Sequence, residues 1–413
     1  MRLPRLVLAS LAAALVGAVA LPGVAAAAPP RGTYGLPTGG GAAAGSYDTA
    51  VVGFPGIERS TTSGLAPTTP TTSALFLNAA TPFGAVFGTS AGQSYLSVRT
   101  GAQATTTVLT LASPAPAGSW GFALGDVDAE SFVVTGTGVD QQPLTAAELG
   151  VQAAFSLCGA DPADSTDPGV CPGPEAGNVP AISSAGGAVT VAGTADNATG
   201  LDSEGASAWF RPTAEVTSVT LVSTRRPTVG TTPTAQLWVA ALAATLSGTV
   251  TPPPATPEAP VAGLTVTLET PEGEPLVDPA TDAPATTVTG PDGAFDFPAV
   301  VAQPVVVVVA PPAGVDAAPT TVSVDLSDGD VLDVSAALPV AAAPPVTPPT
   351  TPPATPSATS SAPVAVPVAP VAVTPARQLA ATGTPVGLLA LGGGLLLAAG
   401  SGTVLVSRAR AGR

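Results

Sequence analysis

Proline and glycine punctuate this chain from end to end, and nothing else limits its fold as much. With 48 Pro and 46 Gly in 413 residues, long uninterrupted helices have few places to form. Pro removes a backbone donor and fixes φ, and Gly costs conformational entropy inside an element. Between these breaks lie short runs rich in Val, Thr and Leu, the residue types that suit a pleated, half-buried surface. They include Tyr95–Val98, Thr106–Leu111, Phe132–Thr135, Val216–Val222 and Leu237–Leu242. Ala146–Leu149 amounts to one helical turn at most. Outside its two ends the chain reads as all-β.

Composition then removes whole classes of chemistry. The 12 basic residues are all Arg, His is absent and the net charge is −16. Without His there is no Ser-His-Asp or Cys-His pair and no imidazole metal ligand. Without Lys there is no Schiff base and no P-loop lysine. Carboxylate catalysis and oxygen-ligated calcium survive this filter. So acidic a surface repels nucleic acid and anionic headgroups.

Residues 1–27 have the layout of a secretory signal peptide. Arg2 and Arg5 precede the apolar stretch Leu6–Ala20, and the small residues Val24–Ala28 follow. Cleavage is expected after Ala27, since cutting one residue later would leave Pro29 at the new N-terminus. At the other end, residues 379–413 begin with Leu379-Ala380-Ala381-Thr382-Gly383. The apolar run Val386–Val406 follows, about 31 Å long as a helix at ~1.5 Å per residue, enough to cross a bilayer core. Arg408, Arg410 and Arg413 then hold the tail on the cytoplasmic side. This three-part end resembles the cell-wall sorting signal of sortase substrates, with Ala380 where the usual pattern has Pro. The LAxTG form is associated with class E sortases of high-GC Gram-positive bacteria. The resemblance implies cleavage between Thr382 and Gly383 and transfer of the Thr382 carboxyl to a peptidoglycan amine. A plain single-pass membrane anchor is the alternative, and both put the intervening domains outside the cell.

Residues 341–378 form a Pro-rich stalk with the pairs Pro344-Pro345, Pro348-Pro349 and Pro352-Pro353. Polyproline II is favoured there, at ~3.1 Å per residue. Residues 246–340 carry Leu246–Val250, the alternating Val261–Leu268, Thr286–Thr289, the turn-bearing Gly290–Phe297, Val305–Val309 and Thr321–Leu326. Their order resembles the Cna B-type, prealbumin-like repeat of surface proteins. That resemblance implies a small β-sandwich acting as a spacer. Many such domains carry a Lys–Asn or Lys–Asp isopeptide bond, and this chain has no Lys with which to form one or to polymerise as pilins do.

Residues 28–245 make up the head, expected to be a jelly-roll-like β-sandwich or two sheets in tandem. Trp120, Trp209 and Trp238 stand out in an Ala-rich stretch. They either fill the core or stack on a ligand such as a sugar ring. Asp126, Asp128 and Glu130 offer hard oxygen ligands on a turn, suited to calcium, and a solvated turn is the plainer reading. Asp202 and Glu204 form a second, weaker acidic turn. Cys158 and Cys171 are the only cysteines, an even pair expected to form a disulfide in an exported chain. The expected protein is therefore a non-enzymatic, wall-anchored surface protein whose head is an adhesin or ligand-binding module for a glycan or matrix protein. A passive surface component is the alternative, and a carboxylate-based glycan hydrolase a weaker one.

Overall fold

The computed structural model describes residues 28–339, apart from 40–42, 63–67, 71–75, 158–178, 195–204, 227–231 and 255. The signal segment, Cys158 and Cys171, Asp202 and Glu204, the stalk and the sorting signal Leu379–Gly383 lie outside the described residues. So does the apolar run Val386–Val406; no helix among the described residues is long and apolar enough to cross a membrane.

The head contains β1 (Arg31–Tyr34), β2 (Leu36–Pro37), β3 (Ala44–Asp48), β4 (Ile57–Thr61), α1 (Pro82–Phe87), β5 (Leu96–Arg99), β6 (Thr105–Ala115) and β7 (Trp120–Gly125). It continues through β8 (Glu130–Thr137), β9 (Phe155–Ser156), β10 (Ala181–Ala185), β11 (Ala188–Ala192), β12 (Ala206–Phe210), β13 (Val216–Arg225) and β14 (Thr234–Thr251). The spacer adds β15 (Thr265–Glu269), β16 (Val277–Asp278), β17 (Ala283–Pro284), β18 (Thr286–Val288), β19 (Ala294–Val301), β20 (Pro304–Val309), β21 (Thr320–Asp325) and β22 (Val331–Ala337). Among the described residues the fold is all-β except for the six-residue α1 and isolated turns. One of those turns follows Thr145, where the Thr145 hydroxyl accepts from the Glu148 N–H and the Glu148 carboxylate accepts from the Thr145 N–H.

Two sheets face each other in the head. One runs β10-β11-β8-β13-β6-β4-β3-β2, and the other is built on β14, with β7, β12 and β9 to one side and β1 and β5 to the other. From β4 to β9 each successive strand changes sheet, and β11 to β14 do so again. This is the alternation expected of a jelly-roll-like sandwich. The first sheet obeys the period-two pattern: β13 buries Val216, Val219, Leu221 and Ser223 and leaves Thr224 and Arg225 exposed.

The second sheet does not, because it is covered on both faces. Every residue of β7 and β12 is buried. The inner face sends Trp120, Phe122, Leu124, Phe210, Leu237 and Val239 against Ile57, Leu109, Phe132 and Leu221 of the first sheet. Its outer face sends Ala123, Trp209, Trp238, Ala240 and Leu242 against Leu77, Phe83 and Phe87. Helix α1 is the lid of this third layer. Thr81 caps it by accepting from the Gly84 N–H at 3.0 Å, Pro82 opens it and Gly88 ends it. A helix this short is unstable alone, so burial of Phe83 and Phe87 holds it in place.

The spacer is a smaller sandwich. The sheet β18-β15-β20-β21 packs on β19, the C-terminal half of β14 and β22. Its core is Leu246, Val250, Val266, Leu268, Phe295, Phe297, Val305, Val307, Leu326 and Val334.

No linker separates the two sandwiches, which belong to one compact unit. The 18-residue β14 serves both: Ala243 belongs to the head core and Ala244 to the spacer core. The boundary expected between residues 245 and 246 thus falls inside a strand, at a bulge where the register against β19 shifts between Ala244 and Leu246. The N–H of Thr245, at that bulge, donates to Asp330 Oδ1 at 2.7 Å. Asp330 also pairs with Arg31 at 3.8 Å, and its N–H donates to the Ala28 carbonyl at 2.9 Å. On the opposite side, Val52 exchanges bonds with Ala299 and Val301, and the Gly53 N–H donates to Val277 at 2.8 Å. Gly53 has φ +77°, and a Cβ there would stand 3.0 Å from Leu276 Cδ1.

Candidate functional site

Of the two readings open for the three tryptophans, core filling or stacking on a ligand, their burial matches the core one. Trp120 is 0%, Trp209 6% and Trp238 1% exposed. Trp120 lies in the inter-sheet core beside Phe54 and Phe122, with ring centroids 6.0 Å from each. Trp209 meets Phe83 edge-on at 5.7 Å, and Trp238 lies 5.1 Å from Tyr95 in the outer layer. A ring covered by protein on both faces has none to offer a pyranose. Trp238 fits because Gly125 has no side chain; a Cβ there would approach its Cζ3 to 2.7 Å. Among the described residues the three indole N–H groups have no hydrogen-bond partner, so their contribution is apolar contact alone.

The acidic turn also differs from expectation. Strand β7 lies in one sheet and β8 in the other, so residues 126–129 cross the sandwich instead of turning back on the surface. Asp126 takes φ 61°, Val127 donates to the Ala206 carbonyl at 2.8 Å, and Arg226 N–H donates to the Ala129 carbonyl at 3.0 Å. The Gly193 N–H closes on the Glu130 carbonyl at 2.9 Å, and the Arg226 guanidinium donates to the Gly193 carbonyl. Asp128 and Glu130 are 0% exposed. Asp128 accepts from the N–H of Ala129, and Glu130 is the register partner of Arg225. Among the described residues no group of three or more Asp, Glu, Cys or His side chains is placed to hold a metal ion. Asp126, Asp128 and Glu130 therefore sit on a crossing between sheets, with Asp128 and Glu130 fully buried, in place of the solvated surface turn. The crossing breaks the one-face alignment that Asp-x-Asp-x-Glu would have on a continuous strand.

Asp126 faces Tyr95, whose hydroxyl pKa is raised by burial and by that carboxylate. Burial also raises Tyr34, whose hydroxyl donates to the Gly88 carbonyl at 2.7 Å. It raises Tyr47 too, against the opposing pull of Arg59. Arg59 is itself 2% exposed at the end of the inter-sheet core, donating to the Gly39 carbonyl at 3.2 Å.

Two concave surfaces among the described residues stand out, and neither involves a residue singled out as a candidate site. A groove of about 600 Å³ lies where head meets spacer, with Phe54, Pro55, Pro114, Pro116 and Pro275 beside Glu215, Glu272 and Glu274. A wider depression of about 920 Å³ lies on the spacer, over Ser247, Thr249, Asp296, Asp333 and Ser335, rimmed by the exposed Val288 and Leu332. Sequence reading missed both because their walls come from segments far apart in the chain.

No family profile matches the sequence, and no curated protein does. Among solved structures the chain is similar to the major pilin subunit of Bacillus cereus, at 10% identity over 58% of this chain and 66% of that one, with a TM-score of 0.20. It is similar to the pilus 2b backbone protein of group B streptococcus, at 12% identity over 59% and 96%, with a TM-score of 0.20. It is also similar to the full-length major pilin of Corynebacterium diphtheriae, at 12% identity over 69% and 78%, with a TM-score of 0.19. The chain spans just under two thirds of the Bacillus cereus pilin. Superpositions this loose carry no argument about function.

Proposed function

We propose that this chain is a wall-anchored surface protein whose two fused sandwiches form a structural display body on a Pro-rich stalk. The observation that carries the reading is the ordered C-terminal sequence: Leu379–Gly383, the apolar run Val386–Val406, then Arg408, Arg410 and Arg413, opposite a signal-like N-terminus. Processing joins the Thr382 carboxyl to a peptidoglycan amine through a class E-like sortase. The absence of Lys excludes pilus-type polymerisation through this chain, so it is displayed singly. Burial of all three tryptophans moves the weight from adhesin to structural body. Mass spectrometry of cell-wall digests tests the anchoring: the expected fragment ends at Thr382, and a mature chain that retains residues 384–413 refutes it.

A ligand-binding body is the second reading, favoured by the groove between head and spacer with Glu215, Glu272 and Glu274 on its walls. Glycan-array and matrix-protein binding by residues 28–339 tests it. Binding lost on Glu272→Gln with Glu274→Gln would support it, and absence of binding would leave the structural reading alone.

A further inference from the structure

We infer that the pairing of β14 with β22 is a shear clamp: it holds the spacer closed when the head is pulled away from the C-terminal anchor, and it releases a fixed length of chain when it yields. The inference rests on the anchoring proposed above for its use on a cell, and on the topology for its mechanics. Strand β14 enters the spacer directly from the head, with no linker between. Strand β22 is the last of the spacer, and the described chain ends just beyond it, at Pro339. The two strands are parallel neighbours, pairing Leu246↔Val331 and, after a shift of register, running in step from Gly248↔Val334 to Thr251↔Ala337.

That direction sets how the pair meets tension. A pulled head draws β14 toward its N-terminal end, and an anchored stalk draws β22 toward its C-terminal end. In a parallel pair these pulls oppose each other along the strand axes. Every bond between the strands is then strained together, whereas an antiparallel pair pulled from one end opens a bond at a time. Both ends of the pair are also reinforced. At the head end, Thr245 N–H donates to Asp330 Oδ1 at 2.7 Å and the Ser247 hydroxyl donates to the Leu332 carbonyl at 3.1 Å. At the stalk end, the Leu338 N–H donates to the Thr251 carbonyl at 3.0 Å, and the Thr320 hydroxyl of β21 holds β22 from its other side through the Ala337 carbonyl at 2.9 Å.

With no Lys there is no covalent tie across the pair, so the clamp opens reversibly. Once β22 leaves β14, the chain between residues 252 and 339 pays out, about 300 Å for roughly 88 residues at ~3.4 Å each. The head keeps its own sheets, because β14 remains paired with β7, β1 and β5 above the bulge.

Single-molecule stretching of residues 28–383 tests this, with one handle in the Gly186-Gly187 turn of the head and the other at the C-terminal end. The expected first step lengthens the molecule by about 300 Å. At constant force, Ser247→Ala and Thr320→Ala should each shorten the time to that step by about fivefold, the effect of one ordinary hydrogen bond absent from the opened state. Both side chains are at the surface, so the variants fold. A first step of another length, or unaltered lifetimes in the double variant, would overturn the inference. Because both handles are artificial, the result is independent of what holds the chain to a cell, which the wall-digest experiment decides.

Discussion

Replacing Asp330 by alanine should loosen head and spacer together. Its carboxylate is 8% exposed and accepts the Thr245 N–H at 2.7 Å, at the bulge where β14 passes from one core to the other. A hydrogen bond to a charged group contributes about 1.5–3 kcal/mol, and removing it strands a half-buried N–H. The ion pair with Arg31 adds little, because Arg31 is 76% exposed and the separation is 3.8 Å; solvent screening leaves at most about 0.5 kcal/mol. The expected loss is thus about 2–3 kcal/mol. With ~2.1 cal/mol/K of unfolding entropy per residue over roughly 310 residues, that lowers Tm by about 4 °C. Asp330→Asn keeps an acceptor oxygen for Thr245 and should lose less than half as much. All three tryptophans are in the head, so their fluorescence reports on a domain that Asp330 does not belong to. The fluorescence transition should nevertheless move with the far-UV circular dichroism, because β14 couples the two cores. A fluorescence midpoint that stays fixed in Asp330→Ala, or an Asn variant as costly as the Ala one, would refute the reasoning.

With no His in the chain, no imidazole titration contributes to the pH dependence of stability near neutrality. Above about pH 10 stability should fall, because Tyr34, Tyr47 and Tyr95 have raised folded-state values and the unfolded chain gives up their protons first; tyrosinate absorbance during alkaline titration checks this. At the acid end, Glu148 and Asp325 are lowered by hydrogen bonds from Thr145 and Ser327, so their small contributions are present at neutral pH and lost as pH falls through the carboxylate range. Gly53→Ala should cost about 1–3 kcal/mol, since φ is +77° and the new methyl group meets Leu276 and Val301; an unshifted thermal midpoint would contradict it. Titrating calcium into residues 28–339 should give no binding heat and no change in Tm, and a saturable heat would reopen the acidic crossing as a metal site.

The all-β class was legible because Pro and Gly break the chain and strand-period runs fill the gaps. The spacer strands fell where the alternation of Leu264–Leu268 and the turn at Gly290–Gly293 put them. The packing partners of the three tryptophans and the course of Asp126–Glu130 were not legible, for one shared reason. Each depends on which sheet a strand joins, and local sequence does not encode that. Trp120 and Phe122 share a face, as their spacing requires, but spacing says nothing of Phe54 and Phe210 packing against them. Nothing in Pro82–Phe87 announces a lid. Its apolar residues become informative only once β7, β12 and β14 are known to be apolar on both faces.

The uninterrupted course of β14 also decides how the gene can be cut and recombined. A fragment ending at residue 245 would sever a strand that both cores share, remove the Asp330 partner of Thr245 and take from Val52 and Gly53 their mates in the spacer. The edge at Val52 and Gly53 that the spacer covers would then lie open in the head fragment and invite self-association. Head and spacer can be inherited, grafted or expressed only as a pair, and an exchange point that respects the fold lies beyond residue 339.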